Sequence, residues 1–250
     1  MKKRVFGALI LGCVSVTVCS ADEIKVGGGG ASIAGVFSRV KDAYQKASGD
    51  QVSIIQSSPA KGLAGLARGN LDIATGAVPL DGMIAGAAKE GVVVDKGTLA
   101  VMTVATSRTM IMTHPAVKVA ALTKDQIKGI FTGKIGNWKE VGGADGDIIV
   151  VWGKNTPGQN AQFIKEVLDG EAVAKDALDA TDYKSIKESV ANTPGAIGID
   201  PYSITDSTVN LPQIPAITSP ILLITKGKPS AKVQKLIDFI AGSGKGLIKQ

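Results

Sequence analysis

Apolar positions along the chain recur at two spacings, and the spacing changes every ten to twenty residues. A short apolar run at 24–26 leads into Gly27, Gly28, Gly29 and Gly30. Beyond it, Val36, Phe37, Val40, Tyr44 and Ala47 recur at helical spacing, which predicts an amphipathic helix ending at Gly49. Residues 52–55 predict a strand. Ser58-Pro59 then opens a helix, since serine suits the N-cap and proline the first helical position, where its missing N–H costs nothing. Residues 71–74 predict a further strand, and 99–106 and 110–113 two extended segments. Thr123 with Gln126 three residues on predicts a capping box, ahead of a helix burying Ile127, Ile130 and Phe131. A strand at 148–152 feeds a Thr156-Pro157 helix start with Phe163, Ile164, Val167 and Leu168 on its inner face. Short strands at 196–199 and 221–225 follow, and Ser230 caps a last helix with Val233, Leu236, Ile237 and Ile240 inward.

Short strands alternating with helices predict an α/β protein whose sheets are mostly parallel and covered on both faces. The extended segment near 99–106 and the return strand at 221–225 give two crossings. They divide the chain into one lobe of 22–105 with 221–250 and a second of 106–220.

Residues 1–21 are read as a signal peptide: Lys2, Lys3 and Arg4, an apolar run to Cys19, then small residues before Asp22. The run is short for about 30 Å of hydrocarbon. Cys13 and Cys19, the only cysteines, read either as a lipid-attachment site or, the favoured reading, as removed by cleavage near Ala21, in which case the mature protein holds no disulfide and relies on its core. It also removes three of the 28 basic residues, leaving 25 against 22 acidic ones. A surface so nearly balanced carries no nucleic-acid footprint.

The composition has 31 glycines and only 10 aromatic residues among 250, which suits a protein that contacts its partner through backbone. The run Gly27–Gly30 fails both the dinucleotide fingerprint and the phosphate loop of nucleotidases, because Val36 stands where a lysine is needed. It reads either as a plain turn or as a nest of N–H groups that attracts an anion, with Ser32 adding a hydroxyl. Ser58 and Thr156 read either as ordinary caps or as two more helix starts converging on one cleft at the carboxyl ends of strands. Enzymatic chemistry finds little support. His114 is the lone histidine, no Gly-x-Ser-x-Gly elbow occurs, and no cofactor or metal is implied. Trp138 and Trp152 are read as core residues.

Residues 122–143 (LTKDQIKGIFTGKIGNWKEVGG) resemble the signature stretch of periplasmic phosphate-binding proteins of ABC transporters. Residues 27–32 are similar to that family's first phosphate loop, 71–80 to its Asp-Phe-Gly-Ala-Ser-Asp-Ala-Pro-Leu segment, and 194–199 to its Pro-Gly-Ala-Ile-Gly-Tyr strand. The resemblance implies a two-lobed, type II periplasmic binding fold, each lobe a mixed, mostly parallel sheet flanked by helices. It implies capture of a small oxyanion, most simply phosphate, by a periplasmic monomer that delivers it to an ABC permease. The residues expected to line the cleft are Gly30, Ala31, Ser32, Ser58 (or Ser57), Thr75, Thr156, Gly158 and Gln159, with Lys154 as the charge. The family's ligand positions are imperfectly kept. Ala77 stands where the family has an aspartate that accepts the proton of hydrogen phosphate, and Gly153-Lys154 where it has an arginine. Lysine supplies a point charge and not a bidentate fork. The alternative reading is therefore a sensor or accessory protein that keeps the scaffold, takes a different small polar ligand or none, and presents its closed form to a membrane sensor. A secreted hydrolase is a third reading, and the weakest, for want of a nucleophile–base pair.

Overall fold

The computed structural model describes residues 22–249; the signal-peptide reading and both cysteines lie outside that range. The strands are β1 (Glu23–Gly29), β2 (Gln51–Ser57), β3 (Ile73–Gly76), β4 (Leu99–Thr113), β5 (Ile149–Gly153), β6 (Leu178–Ala180), β7 (Ala196–Pro201) and β8 (Ile217–Lys226). They form one eight-stranded sheet in the order β2-β1-β3-β8-β4-β7-β5-β6. Its two ends are parallel: β1 pairs with β2 and β3, and β5 with β6 and β7. In the middle β4 and β8 run antiparallel to each other, from Leu99–Lys226 to Thr109–Ile217, with a register shift between Thr103 and Ala105. The segments 99–106 and 110–113 are thus parts of a single 15-residue strand. Of the three polar residues between them, Ser107 and Thr109 are buried and Arg108 is exposed.

Four apolar clusters pack on this sheet. Two draw on residues 24–105 and 221–248, including Ile24, Phe37, Tyr44, Leu236 and Ile240 in one and Leu63, Met83 and Ile224 in the other. The other two draw on residues 111–217, with Phe131, Trp138 and Phe163 in one and Val151, Ile186 and Val190 in the other. Both tryptophans serve the core. Trp138 is 3% exposed and donates from Nε1 to the Gly195 carbonyl at 2.9 Å, and Trp152 packs at 6.1 Å from Phe131 and Phe163.

The helix after β1 starts as α1 (Gly30–Ser32), widens into a π turn (Ile33–Phe37) and continues as α2 (Ser38–Ser48). Its predicted inner face is buried at Val36, Phe37, Val40 and Tyr44, while Ala47 is exposed. The other helices are α3 (Pro59–Ala67), α4 (Leu80–Lys89), α5 (Lys124–Phe131), α6 (Pro157–Glu166), α7 (Tyr183–Asn192) and α8 (Ala231–Ala241). Ser58 caps α3 by accepting from the Lys61 N–H, and the Thr123–Gln126 box opens α5. Ser230 stands at the N-cap of α8 without a side-chain cap bond, and Thr156 does the same at α6. Among the described residues no helix is long and apolar enough to cross a membrane.

The glycine run is mostly strand. Gly27, Gly28 and Gly29 belong to β1, so neither the turn nor the nest reading holds for them; the helix starts only at Gly30. Gly28 has φ +149°, and a Cβ there would overlap the Thr75 carbonyl oxygen, so β1 and β3 approach too closely for any side chain.

Candidate functional site

A cleft opens between the two halves of the molecule where β1, β2 and β5 end. One wall comes from Gly29, Gly30, Ala31, the 56–59 segment, Ala77 and Val78. Ser107 and Thr109 of β4 form the floor, and the facing wall is 155–159 with Gln162, Asp182 and Tyr183. The cavity is small, about 40 Å³. A single water needs roughly 10–15 Å³ by the same measure, so the guest is a molecule of a few heavy atoms.

Two helices aim their N-termini across this space. At α3, Ser58 Oγ takes the Lys61 N–H at 3.1 Å, which leaves the Ala60 N–H with no intrahelical partner. At α6, Pro157 has no N–H, and the N–H groups of Gly158 and Gln159 precede the first intrahelical bond, Asn160 N–H to the Thr156 carbonyl. The Thr156 hydroxyl does not cap them; it donates toward Asn160 Oδ1 at 2.9 Å and is within 3.3 Å of the Gly153 carbonyl. Helix starts of this kind favour negative charge.

Six of the nine residues expected from the sequence line the cleft: Gly30, Ala31, Ser58, Thr156, Gly158 and Gln159. Of these, Gln159 offers only its backbone, because its side-chain amide is spent holding the Ile199 carbonyl at 3.1 Å. The other three lie outside. Ser32 is fully buried and donates to the Gly29 carbonyl at 2.8 Å; Thr75 is fully buried and donates to the Leu222 carbonyl at 2.7 Å. In both cases a hydroxyl with one proton has given it to the backbone. Lys154 turns outward to pair with Asp179 at 2.7 Å on the neighbouring strand β6, both side chains being 63% exposed. Gly153 cannot be replaced by an arginine without displacement, since a Cβ there would sit 2.6 Å from Ile186 Cδ1.

Among the described residues, the cleft walls therefore carry no lysine or arginine. The one charged residue among those described there is Asp182, whose Oδ1 caps α7 by accepting from the Ser185 N–H at 2.9 Å. The rest is uncharged: the amides Gln56, Asn155 and Gln162 and the hydroxyls Ser57, Ser107, Thr109 and Tyr183. Burial, with the nearby Asp200 carboxylate second, pushes the Tyr183 phenol well above its ordinary range, so it stays a hydroxyl. Asp200 itself is 0% exposed, neither carboxyl oxygen has a partner, and burial raises it well above the ordinary carboxylate value.

Sequence reasoning missed the β4 pair and the whole of α7. Ser107 and Thr109 look like a polar break between apolar segments. For α7 a signal exists: Asp182 and Ser185 form a reciprocal cap, and Ile186 and Val190 follow at helical spacing. Among the described residues no group of three histidine, cysteine, aspartate or glutamate side chains could hold a metal ion.

A family model described as a PBP superfamily domain matches residues 17–243. A stretch of 97 residues is 41% identical to the phosphate-binding protein PstS of Bacillus subtilis (strain 168), covering 38% of this chain and 32% of that protein, so the match spans about a third of the curated relative. Two solved structures share the fold. One is a Clostridium perfringens protein assigned as a phosphate ABC transporter substrate-binding protein and crystallised with bound phosphate (TM-score 0.77, 24% identity, covering 90% of this chain and 96% of that one). The other is an ABC-type phosphate transport receptor from Vibrio cholerae (TM-score 0.69, 23% identity, covering 90% and 96%). At these identities the structural likeness is one of fold.

Proposed function

The chain belongs to the PBP superfamily, and from that premise we propose that it captures a small oxyanion, with phosphate the leading candidate, and hands it to an ABC permease. The protein acts outside the cytoplasmic membrane once residues 1–21 are removed. Lobes of 22–105 with 221–250 and of 106–220 close on the guest by hinge motion, and the guest favours the closed form because only there do both walls reach it. The kinship with phosphate-binding proteins supports this reading.

The observation that carries it is the meeting of the α3 and α6 N-termini around a cavity of oxyanion size. Free N–H groups of Gly158 and Gln159, the start of α3 and the hydroxyls of Ser57, Ser107 and Thr109 supply donors without a counter-charge. Such a site holds an anion through dipoles alone, which the low-dielectric interior of a closed cleft strengthens. Titration calorimetry and thermal shift against phosphate, sulfate and molybdate test it. Micromolar stabilisation by phosphate supports the reading, and no response to any oxyanion overturns it.

The cation-free wall favours a second reading, in which the scaffold serves a sensor or accessory role for an uncharged polar guest. Its amides offer both donors and acceptors. A response to neutral hydroxylated or amide compounds, with silence toward anions, would select that reading.

A further inference from the structure

Ser58, Thr123 and Asp182 open α3, α5 and α7 in the ordinary way: each has extended backbone, and its side-chain oxygen accepts a backbone N–H of the first turn. Thr156 at α6 does not. Its φ of −118° and ψ of 47° lie outside the extended region, and its side chain accepts no N–H. Asn160, the fourth residue of α6, holds that hydroxyl elsewhere. Its Nδ2 donates to the Gly153 carbonyl at the end of β5 at 2.7 Å, which fixes the orientation of the amide, since a carbonyl only accepts. Oδ1 then takes the Thr156 hydroxyl proton at 2.9 Å. Gly153 leaves the space for this: a Cβ there would lie 2.7 Å from Thr156 Oγ1. The N–H groups of Gly158 and Gln159, which a threonine cap would take, stay without an intrahelical partner beside the cavity. The floor gives a second, independent sign of a guest. The hydroxyls of Ser107 and Thr109, each residue 8% exposed, border the same cavity with no hydrogen-bond partner among the described residues.

We propose that Asn160 is a positioning residue that keeps the start of α6 open to the guest by holding the Thr156 hydroxyl away from it. The helix gives up an N-cap bond, and the guest takes the place of the cap on the Gly158 and Gln159 N–H groups. Asn160 acts through Thr156 and does not touch the guest. Without it, the hydroxyl is released to turn onto the first turn and compete with the guest for the same donors.

The inference rests on the oxyanion reading above, and calorimetric titration of the wild type and the Asn160→Ala variant with phosphate tests the two separately. A cooperatively melting variant should bind phosphate about tenfold or more weakly, the loss typical of one hydrogen bond to a charged guest. Amide hydrogen exchange without ligand supplies the readout that mere loosening of α6 would move the other way: Gly158 and Gln159 should exchange more slowly in the variant than in the wild type, because they are now capped. The Thr156→Val/Asn160→Ala double variant has no hydroxyl to cap with and should recover most of the lost affinity. Phosphate binding within twofold of wild type by Asn160→Ala, faster exchange at Gly158 and Gln159, or a double variant as weak as the single one overturns the positioning role and leaves the oxyanion reading standing. If the wild type does not bind phosphate, both fall together.

Discussion

Gly158, the second residue of α6, lies directly against Pro59, the first residue of α3: a Cβ on Gly158 would come within 3.5 Å of Pro59 Cγ and 3.2 Å of Val78 Cγ1. The two helix starts thus meet through a residue with no side chain, and their free N–H groups share one small space. Gly158→Val places two methyl groups in that contact and props the walls apart. Phosphate affinity should fall at least tenfold, and small-angle scattering should show a larger radius of gyration with ligand than the wild type has. The melting temperature of the free protein should change little, because Gly158 lies at the cleft and outside the four apolar clusters.

Lys154 is the one cation that the sequence places next to the site, and the structure gives it to Asp179. An exposed pair of this kind is worth about 0–1 kcal/mol. Lys154→Ala should therefore leave phosphate affinity within twofold of wild type. A loss of tenfold or more would mean that the lysine swings inward on binding.

Asp200 makes stability depend on pH. Its folded-state value is raised above the ordinary 3.8 by burial, with Lys187 opposing and Asp182 reinforcing the shift. A raised folded value means that the contribution is fully present below the unfolded value and is lost as pH rises through the folded one. Wild type should therefore lose stability from this group as pH rises above about 4. Asp200→Asn keeps the shape and removes the titration. The variant should melt above wild type at pH 7.5, with the gap closing toward pH 4. A gap that is constant with pH would show that the carboxyl does not titrate differently in the folded state.

Tyr44 supplies the alkaline counterpart. Burial, and then its 2.9 Å hydrogen bond to Asp50, push the phenol up to about 12. The raised value again means stability present below the unfolded value near 10 and lost as pH rises toward 12. Tyr44→Phe should flatten the fall in melting temperature over that interval while costing stability at pH 7. An unaltered alkaline slope would assign that limb to other groups.

At Gly28 the limit is steric. Its φ of +149° and the absence of room beside the Thr75 carbonyl make Gly28→Ala incompatible with the β1–β3 pairing. The variant should fail to accumulate as a folded protein, whereas Gly49→Ala, at an open C-cap with φ +79°, should fold at a cost of about 1 kcal/mol in urea melts.

Helices with a strong cap and a clean apolar face were legible residue by residue. Thr123–Gln126 opens α5, Ser58-Pro59 opens α3, and α8 buries all four residues of its expected face. Where the apolar signal thins, the reading failed. Helix α4 buries only Met83 and Ala87, α7 only Ile186 and Val190, and β6 is three residues long with two exposed. Hydroxyl roles were the least legible. Ser32 and Thr75 sit where a ligand hydroxyl is expected, yet each lies next to a backbone carbonyl that claims its single proton.

By itself the sequence determined the alternation of strand and helix, the two helix starts at Ser58 and Thr156, and, through residues 122–143, the kind of scaffold. These follow from spacing and capping, which act over three to seven residues. Which groups face the guest was decided by tertiary structure. Ser107 and Thr109 become the floor because β4 pairs with both β7 and β8; Lys154 leaves because Asp179 stands one strand away; and Tyr183 arrives because Gly30, 153 positions earlier, leaves it room. Each is a contact between distant segments, set by strand order and close packing, and no local pattern encodes it.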